Sequence, residues 1–167
     1  MKITKIEVGE LATNCYFLIN DDKCIVVDPG GEAPKIINFL ENNSLQLIGY
    51  LITHNHPDHV MALNDLSNKY HIGPYISDDL FTFETIKTPG HTEDSVCYYF
   101  EQDKLMLTGD TLFKETIGRS DLLGGNRKDL FNSLELLMAY PSETSIFPGH
   151  GESSTLANEK EHNRWLQ

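Results

Sequence analysis

The sequence predicts one α/β domain spanning residues 1–167, and three observations carry that expectation. The length suffices for a single hydrophobic core but not for two full-sized domains. Apolar residues make up 40% and charged residues 23% of the chain, the balance of a globular protein rather than a disordered chain or a coiled coil. Short strand-like apolar runs alternate with stretches whose apolar residues recur at helical spacing.

Three strand-like runs open the chain, residues 3–8, 15–19 and 24–27, with Asn20-Asp21-Asp22 as the turn between the last two. After the loop Asp28-Pro29-Gly30-Gly31, residues 33–42 place Ile36, Ile37, Phe39 and Leu40 on one helical face, and residues 47–52 read as a buried strand. Val60, Leu63, Leu66 and Tyr70 then recur at helical spacing until Gly73-Pro74 ends the run. The second half repeats this grammar, which hints at pseudo-symmetry without a sequence repeat. Residues 83–87, 95–100 and 105–108 read as strands, 128–139 as a leucine-rich helix, 145–147 as a short strand, and 155–166 as a closing helix capped by Ser154 or Thr155. Gly124-Gly125-Asn126 reads as a flexible loop, since it lacks the lysine and spacing of a phosphate-cradling loop.

Thirteen basic against 25 acidic side chains give a net charge of −12. Such a surface repels phosphate backbones and anionic headgroups, so neither nucleic acid nor a membrane surface is expected as a partner. The longest apolar runs fall far short of the roughly 20 residues of a membrane span. Residues 1–7 lack the apolar stretch of a secretory signal, so a cytoplasmic protein is expected. Cys15, Cys24 and Cys97 are odd in number and form no C-x-x-C pair; they read as small core residues. Tyr98, Tyr99 and Trp165 are likewise expected in the core, and His71 and His162 at the surface or at helix ends.

The other five histidines are not scattered. Thr53-His54-Asn55-His56-Pro57-Asp58-His59 follows one predicted strand and precedes a helix. Imidazole and carboxylate are the ligands that zinc, iron and manganese take up. Alternate residues of an extended segment point the same way, so His54 and His56 can chelate one ion. Asp58 and His59 then swing toward a second position as the chain turns into the helix. Three further groups follow strands in the same manner: Thr88-Pro89-Gly90-His91-Thr92, Leu107-Thr108-Gly109-Asp110-Thr111 and Phe147-Pro148-Gly149-His150-Gly151. A glycine precedes each ligand-type residue, where it allows a sharp turn or a close backbone approach.

This pattern resembles the metallo-β-lactamase superfamily and, within it, the glyoxalase II-like (hydroxyacylglutathione hydrolase-like) branch. The resemblance covers nearly the whole chain. It rests on the His-x-His-x-Asp-His run, the three groups above, Asp28-Pro29-Gly30 and Ile117-Gly118-Arg119-Ser120-Asp121. It implies a four-layer αββα sandwich of two mixed β-sheets flanked by helices, with two divalent ions, zinc first and iron or manganese as the other candidates. The resemblance assigns His54, His56 and His91 to one metal and Asp58, His59 and His150 to the other, with Asp110 bridging and Asp58 and Asp110 as the catalytic carboxylates. Asp28 and Thr53 are the implied partners behind the histidine ligands, and Arg119 stands where the family has a basic residue that contacts the glutathione glycine carboxylate.

The implied activity is hydrolysis of a thioester, such as a hydroxyacylglutathione, by a metal-bridging hydroxide. The implied partner is therefore a small acyl compound. Full-length glyoxalase II carries a helical C-terminal domain that completes its glutathione pocket, and no counterpart is expected here. Gly151-Glu152 also follows His150 where the glutathione enzymes have an acidic residue and a tyrosine. Two other readings share the motifs: a mononuclear iron persulfide dioxygenase using only His54, His91 and Asp110, and a metal-stabilised binding protein without turnover.

Overall fold

An antiparallel meander opens the chain: β1 (Lys2–Val8), β2 (Thr13–Asn20) and β3 (Lys23–Val27) pair in order. Asn20 pairs with Lys23 across a two-residue turn, and Asp21 takes the left-handed backbone (φ 55°) that such a turn requires. Helix α1 (Ala33–Asn42) then crosses over, and β4 (Gln46–Leu51) adds to the sheet parallel to β3. The computed structural model describes residues 1–167, and the chain divides into two compact units, Met1–Phe81 and Thr82–Gln167.

In the first unit Ile36 and Leu40 of α1 bury against Phe17, Val26 and Cys24 of the sheet, with Ile37 and Phe39 half-buried beside them. The single helix expected from Val60 to Tyr70 is divided into a one-turn α2 (Pro57–Val60) and α3 (Leu63–Tyr70). The loop after β3 causes the break. The Ala62 N–H donates to the Pro29 carbonyl (2.9 Å) instead of continuing the helical ladder, and Gly30 passes so close to the Asp58 carbonyl that would have received it that a Cβ there would fall on the oxygen.

The second unit repeats the plan. β5 (Glu84–Lys87), β6 (Val96–Phe100) and β7 (Leu105–Gly109) form a meander, a short hairpin β8 (Leu112–Phe113)–β9 (Thr116–Ile117) follows, and α4 (Arg127–Met138) crosses over to β10 (Ser145–Pro148). β10 runs parallel to β7, and β11 (Ser154–Thr155) pairs antiparallel on its far side. The shared grammar of the halves is thus a shared topology, in which a three-strand meander and a helix lead to a fourth, parallel strand. Leu130, Leu134 and Leu137 of α4 pack with Cys97, Tyr99, Met106 and Ile146. Gly124-Gly125-Asn126 is a helix start as well as a loop: the Asn126 side chain accepts from the Lys128 and Asp129 N–H groups.

Helix α5 (Leu156–His162) is capped by Thr155, as expected, but ends four residues early. Asn163 leaves the helix to bond Glu159 (2.8 Å) and the Thr116 carbonyl (3.1 Å). The buried Glu159 carboxylate also accepts from the Glu115 N–H (2.8 Å), so it ties the β8–β9 hairpin to α5. A buried carboxylate is stable only when its oxygens are bonded in this way. All three cysteines are buried free thiols, and Tyr98 and Tyr99 are buried, as expected. Trp165 is not: it is 38% exposed and lines a cavity of about 290 Å³ with Arg119, Arg127 and Phe131, because the chain has already left the helix before it. No helix is long and apolar enough to cross a membrane.

Candidate metal centre

The ligand-type residues stand at the carboxyl ends of the strands. In the first unit Asp28 and the histidine loop follow the adjacent parallel strands β3 and β4, joined where the Asp28 N–H donates to the Leu51 carbonyl (3.1 Å). In the second unit Asp110 and His150 follow the adjacent parallel strands β7 and β10, joined where the Gly149 N–H donates to the Gly109 carbonyl (2.8 Å). His91 follows β5. Ends of parallel strands gather side chains at one sheet edge, where α/β folds build their sites.

Within the histidine loop, His56 keeps an extended backbone before Pro57, which opens α2 at its first position. His54 and His56 therefore point the same way, and His54 Nε2 lies 3.0 Å from His56 Nδ1. Two imidazole nitrogens on a tetrahedral ion with bonds of about 2.0 Å would be about 3.3 Å apart, so the pair is spaced to share one cation. The first turn of α2 brings Asp58 Oδ2 to 3.5 Å from His59 Nε2, and the Thr13 hydroxyl donates to the same carboxylate oxygen (3.1 Å).

Asp28 organises the loop from behind. Its buried carboxylate accepts the Thr53 N–H (2.8 Å), the Thr53 hydroxyl (2.6 Å) and His59 Nδ1–H (2.9 Å). With its proton given to Asp28, Thr53 Oγ1 accepts from His54 Nδ1–H (3.1 Å). One carboxylate thus places the proton on Nδ1 of both His54 and His59, so that Nε2 carries the lone pair, the form a metal ligand needs. Gly30 lets the loop after β3 pass close over the start of α2, since a Cβ there would fall on the Asp58 carbonyl oxygen.

The second unit solves the same problem with backbone. His91 Nδ1 donates to the Arg119 carbonyl (2.8 Å), which again leaves Nε2 with the lone pair. Asp110 Oδ2 lies 3.6 Å from His91 Nε2 and 3.5 Å from His150 Nε2. Of the three glycines before these ligands, Gly90 (φ 138°) and Gly109 (φ 48°) adopt backbone that favours glycine, whereas Gly149 does not. Gly90 also passes so close to Leu130 that any side chain would strike the α4 backbone.

Arg119, expected to contact substrate through its guanidinium, uses that group on the neighbouring exposed Asp121, donating from Nε (2.8 Å) and Nη2 (2.9 Å). Its contribution to the ligands is the carbonyl behind His91. The Arg119 guanidinium holds the Asp121 carboxyl down at about 2. The pair is therefore intact above about pH 4, the ordinary carboxylate range, and is lost as pH falls through about 2. Arg119→Ala is expected to return the Asp121 pKa to near its ordinary value, read by carbon-detected NMR titration of the side-chain carboxyl. An unchanged titration would show that the ion pair does not form in solution. Thr13 and the Arg119 carbonyl are contributors that sequence reasoning missed; no residue-type signal marks a backbone carbonyl.

A family model described as the metallo-beta-lactamase superfamily matches residues 8–84 and 76–150. The chain is 34% identical over 206 aligned positions to a probable metallo-hydrolase, YqgX, of Bacillus subtilis strain 168, covering 99% of this chain and 98% of the relative. It is 28% identical to the hydroxyacylglutathione hydrolase GloC of Haemophilus influenzae (99% and 98% covered). Among solved structures, the B3 metallo-beta-lactamase BLEG-1 superposes with a TM-score of 0.93 at 28% identity, covering 99% of each chain. TTHA1623 in a di-iron-bound form gives 0.91 at 28% identity, covering 98% of this chain and 100% of that one. The chain belongs to the metallo-β-lactamase superfamily, whose metallo-hydrolases share its fold of two mixed sheets flanked by helices.

Proposed function

We propose that this chain is a thioester hydrolase with a dinuclear centre, in which His54, His56 and His91 would hold one divalent ion, Asp58, His59 and His150 would hold the other, and Asp110 would serve both. The observation that carries the reading is the position of Asp110, whose Oδ2 lies about equally far from His91 Nε2 and His150 Nε2, the two histidines that belong to different ions in this scheme. The donor set fits such ions: neutral imidazoles with Nδ1 fixed from behind, and carboxylates. Bound divalent ions supply an activated water near neutral pH and positive charge for an oxyanion.

The chain's own residues supply the orientation. Asp28 and Thr53 keep the protons of His54 and His59 on Nδ1, and the Arg119 carbonyl does the same for His91, which leaves each Nε2 lone pair for an ion that would bind there. The Thr13 hydroxyl donates to Asp58 Oδ2 and so helps to orient that carboxylate. A thiolate leaves without needing a proton, so a site whose carboxylates are taken up as ligands suits a thioester better than an amide. Likeness to a hydroxyacylglutathione hydrolase over almost the whole chain supports the same substrate class. Zinc or iron would serve, and the likeness to a protein solved in a di-iron-bound form makes iron a candidate beside zinc.

The test is metal content and turnover on one preparation, reconstituted separately with zinc, ferrous iron and manganese. Two ions per chain, with S-lactoylglutathione hydrolysis that is lost to chelator and restored by metal, is the expected result. Two ions without turnover would overturn the substrate. One iron per chain with oxygen uptake on glutathione persulfide would replace hydrolysis by oxygenation.

A further inference from the structure

A second cleft lies at the other end of the five-stranded sheet of the C-terminal unit. The ligand turns follow the carboxyl ends of β5, β7 and β10, whereas a cavity of about 640 Å³ opens at the start of β5 and the end of β6. Along a five-residue strand such as β7 the two ends are about 13 Å apart. Glu84, Tyr99, Glu101, Ala139, Tyr140 and Pro141 are among the residues that line it.

The wall follows from strand pairing. Glu84 pairs directly with Tyr99 across β5 and β6, so the two side chains share a face of the sheet, and Glu101, in the turn just past the end of β6, lines the same cleft. Tyr140, just past the end of α4, packs its ring edge-to-face on Tyr99, with centroids 4.8 Å apart and planes at 73°. Its hydroxyl donates to Glu84 Oε2 (3.0 Å) and so fixes that carboxylate beside the aromatic corner. Burial and the neighbouring Glu84 push the Tyr140 phenol up to about 12, which keeps it a donor at any physiological pH.

Neither Glu84 nor Glu101 is paired with a lysine or arginine in this structure. Helix α4 also ends here, where the Lys160 ammonium donates to the Tyr140 carbonyl (3.2 Å) and the Ser142 hydroxyl (2.9 Å) and so offsets the negative end of its dipole, on the far side of the tyrosine from Glu84. An aromatic corner and two carboxylates therefore line one cleft whose lining contains no lysine or arginine, on a chain of net charge −12. Aromatic faces and carboxylates attract the same class of ligand, an ammonium group whose alkyl substituents shed water easily.

We infer that this cleft binds an alkylammonium cation, with Tyr99 and Tyr140 against the alkyl groups and Glu84 and Glu101 neutralising the charge.

Choline and its uncharged tert-butyl isostere, dimethylbutanol, are the probes, titrated into the metal-loaded ¹⁵N-labelled protein at physiological salt, where unspecific attraction to acidic surface is screened. Saturable shifts confined to β5, β6 and residues 139–141 are expected, with choline bound at least about tenfold more tightly than the isostere. The exposed double variant Glu84→Gln, Glu101→Gln should lose about tenfold in choline affinity while its spectrum stays folded and its hydrolytic activity is unchanged. Tyr140→Phe, which keeps the ring, should retain binding far better than Tyr140→Leu. Equal binding of the isostere, shifts scattered over the acidic surface, no saturable shift, or undiminished affinity in the double variant would each overturn the inference.

Discussion

Replacing Asp110 with alanine is expected to lower hydrolysis by on the order of 10³-fold or more, which corresponds to about 4 kcal/mol of lost transition-state stabilisation. Bound metal should fall below two ions per chain. The effect is large because one carboxylate oxygen lies within 3.6 Å of both His91 Nε2 and His150 Nε2, so its removal weakens both proposed ion positions together. Asp110→Asn separates charge from shape: it fills the same space without the negative charge and is expected to be almost as inactive. Steady-state kinetics and metal analysis on the same samples check both variants, with circular dichroism confirming the fold. Activity within about threefold of the parent in both variants would remove Asp110 from the mechanism.

Asp28→Ala is expected to damage stability and metal binding at once. The carboxylate is 2% exposed and accepts from three groups, two of which are themselves buried side chains. Leaving buried donors without an acceptor costs about 1–3 kcal/mol each, so a loss of at least about 3 kcal/mol is expected. For a chain of this size that lowers Tm by roughly 6–12 °C. The variant also releases the tautomers of His54 and His59, and losing such a partner typically weakens metal binding by about 10–100-fold. Calorimetry on metal-free and metal-loaded protein separates the two effects: the stability loss appears in both forms, and the affinity loss appears only as a smaller gain in Tm on adding metal. A variant that binds metal as tightly as the parent would show that Asp28 is purely structural.

The ligand-type residues are legible as candidates because the chemistry that marks them is local. His54 and His56 are two residues apart on an extended segment, and their nitrogens meet as strand alternation requires. Each of the other turns carries its ligand directly after a strand, and the strands lie within a residue or two of their expected bounds. The misses were of other kinds. The β8–β9 hairpin has strands of two residues, too short for any periodicity to register. The break between α2 and α3 comes from Pro29 and Gly30, about 30 residues away in the chain, so nothing in the apolar spacing of residues 60–70 announces it. Trp165 left the core for the same reason that α5 ended early: Asn163 found partners in Glu159 and Thr116 that helical spacing does not register.

By itself the sequence determined which side chains can ligate metal, on which turns they stand, and the strand and helix order of both halves, since each depends on residue types and on spacing along a single segment. Only the tertiary structure decided which nitrogen of His54, His59 and His91 keeps its proton, that the Arg119 carbonyl stands behind His91, and that Glu84, Tyr99, Glu101 and Tyr140 share one cleft. Those facts depend on hydrogen bonds and packing between distant segments, many of them through backbone carbonyls that every residue carries alike.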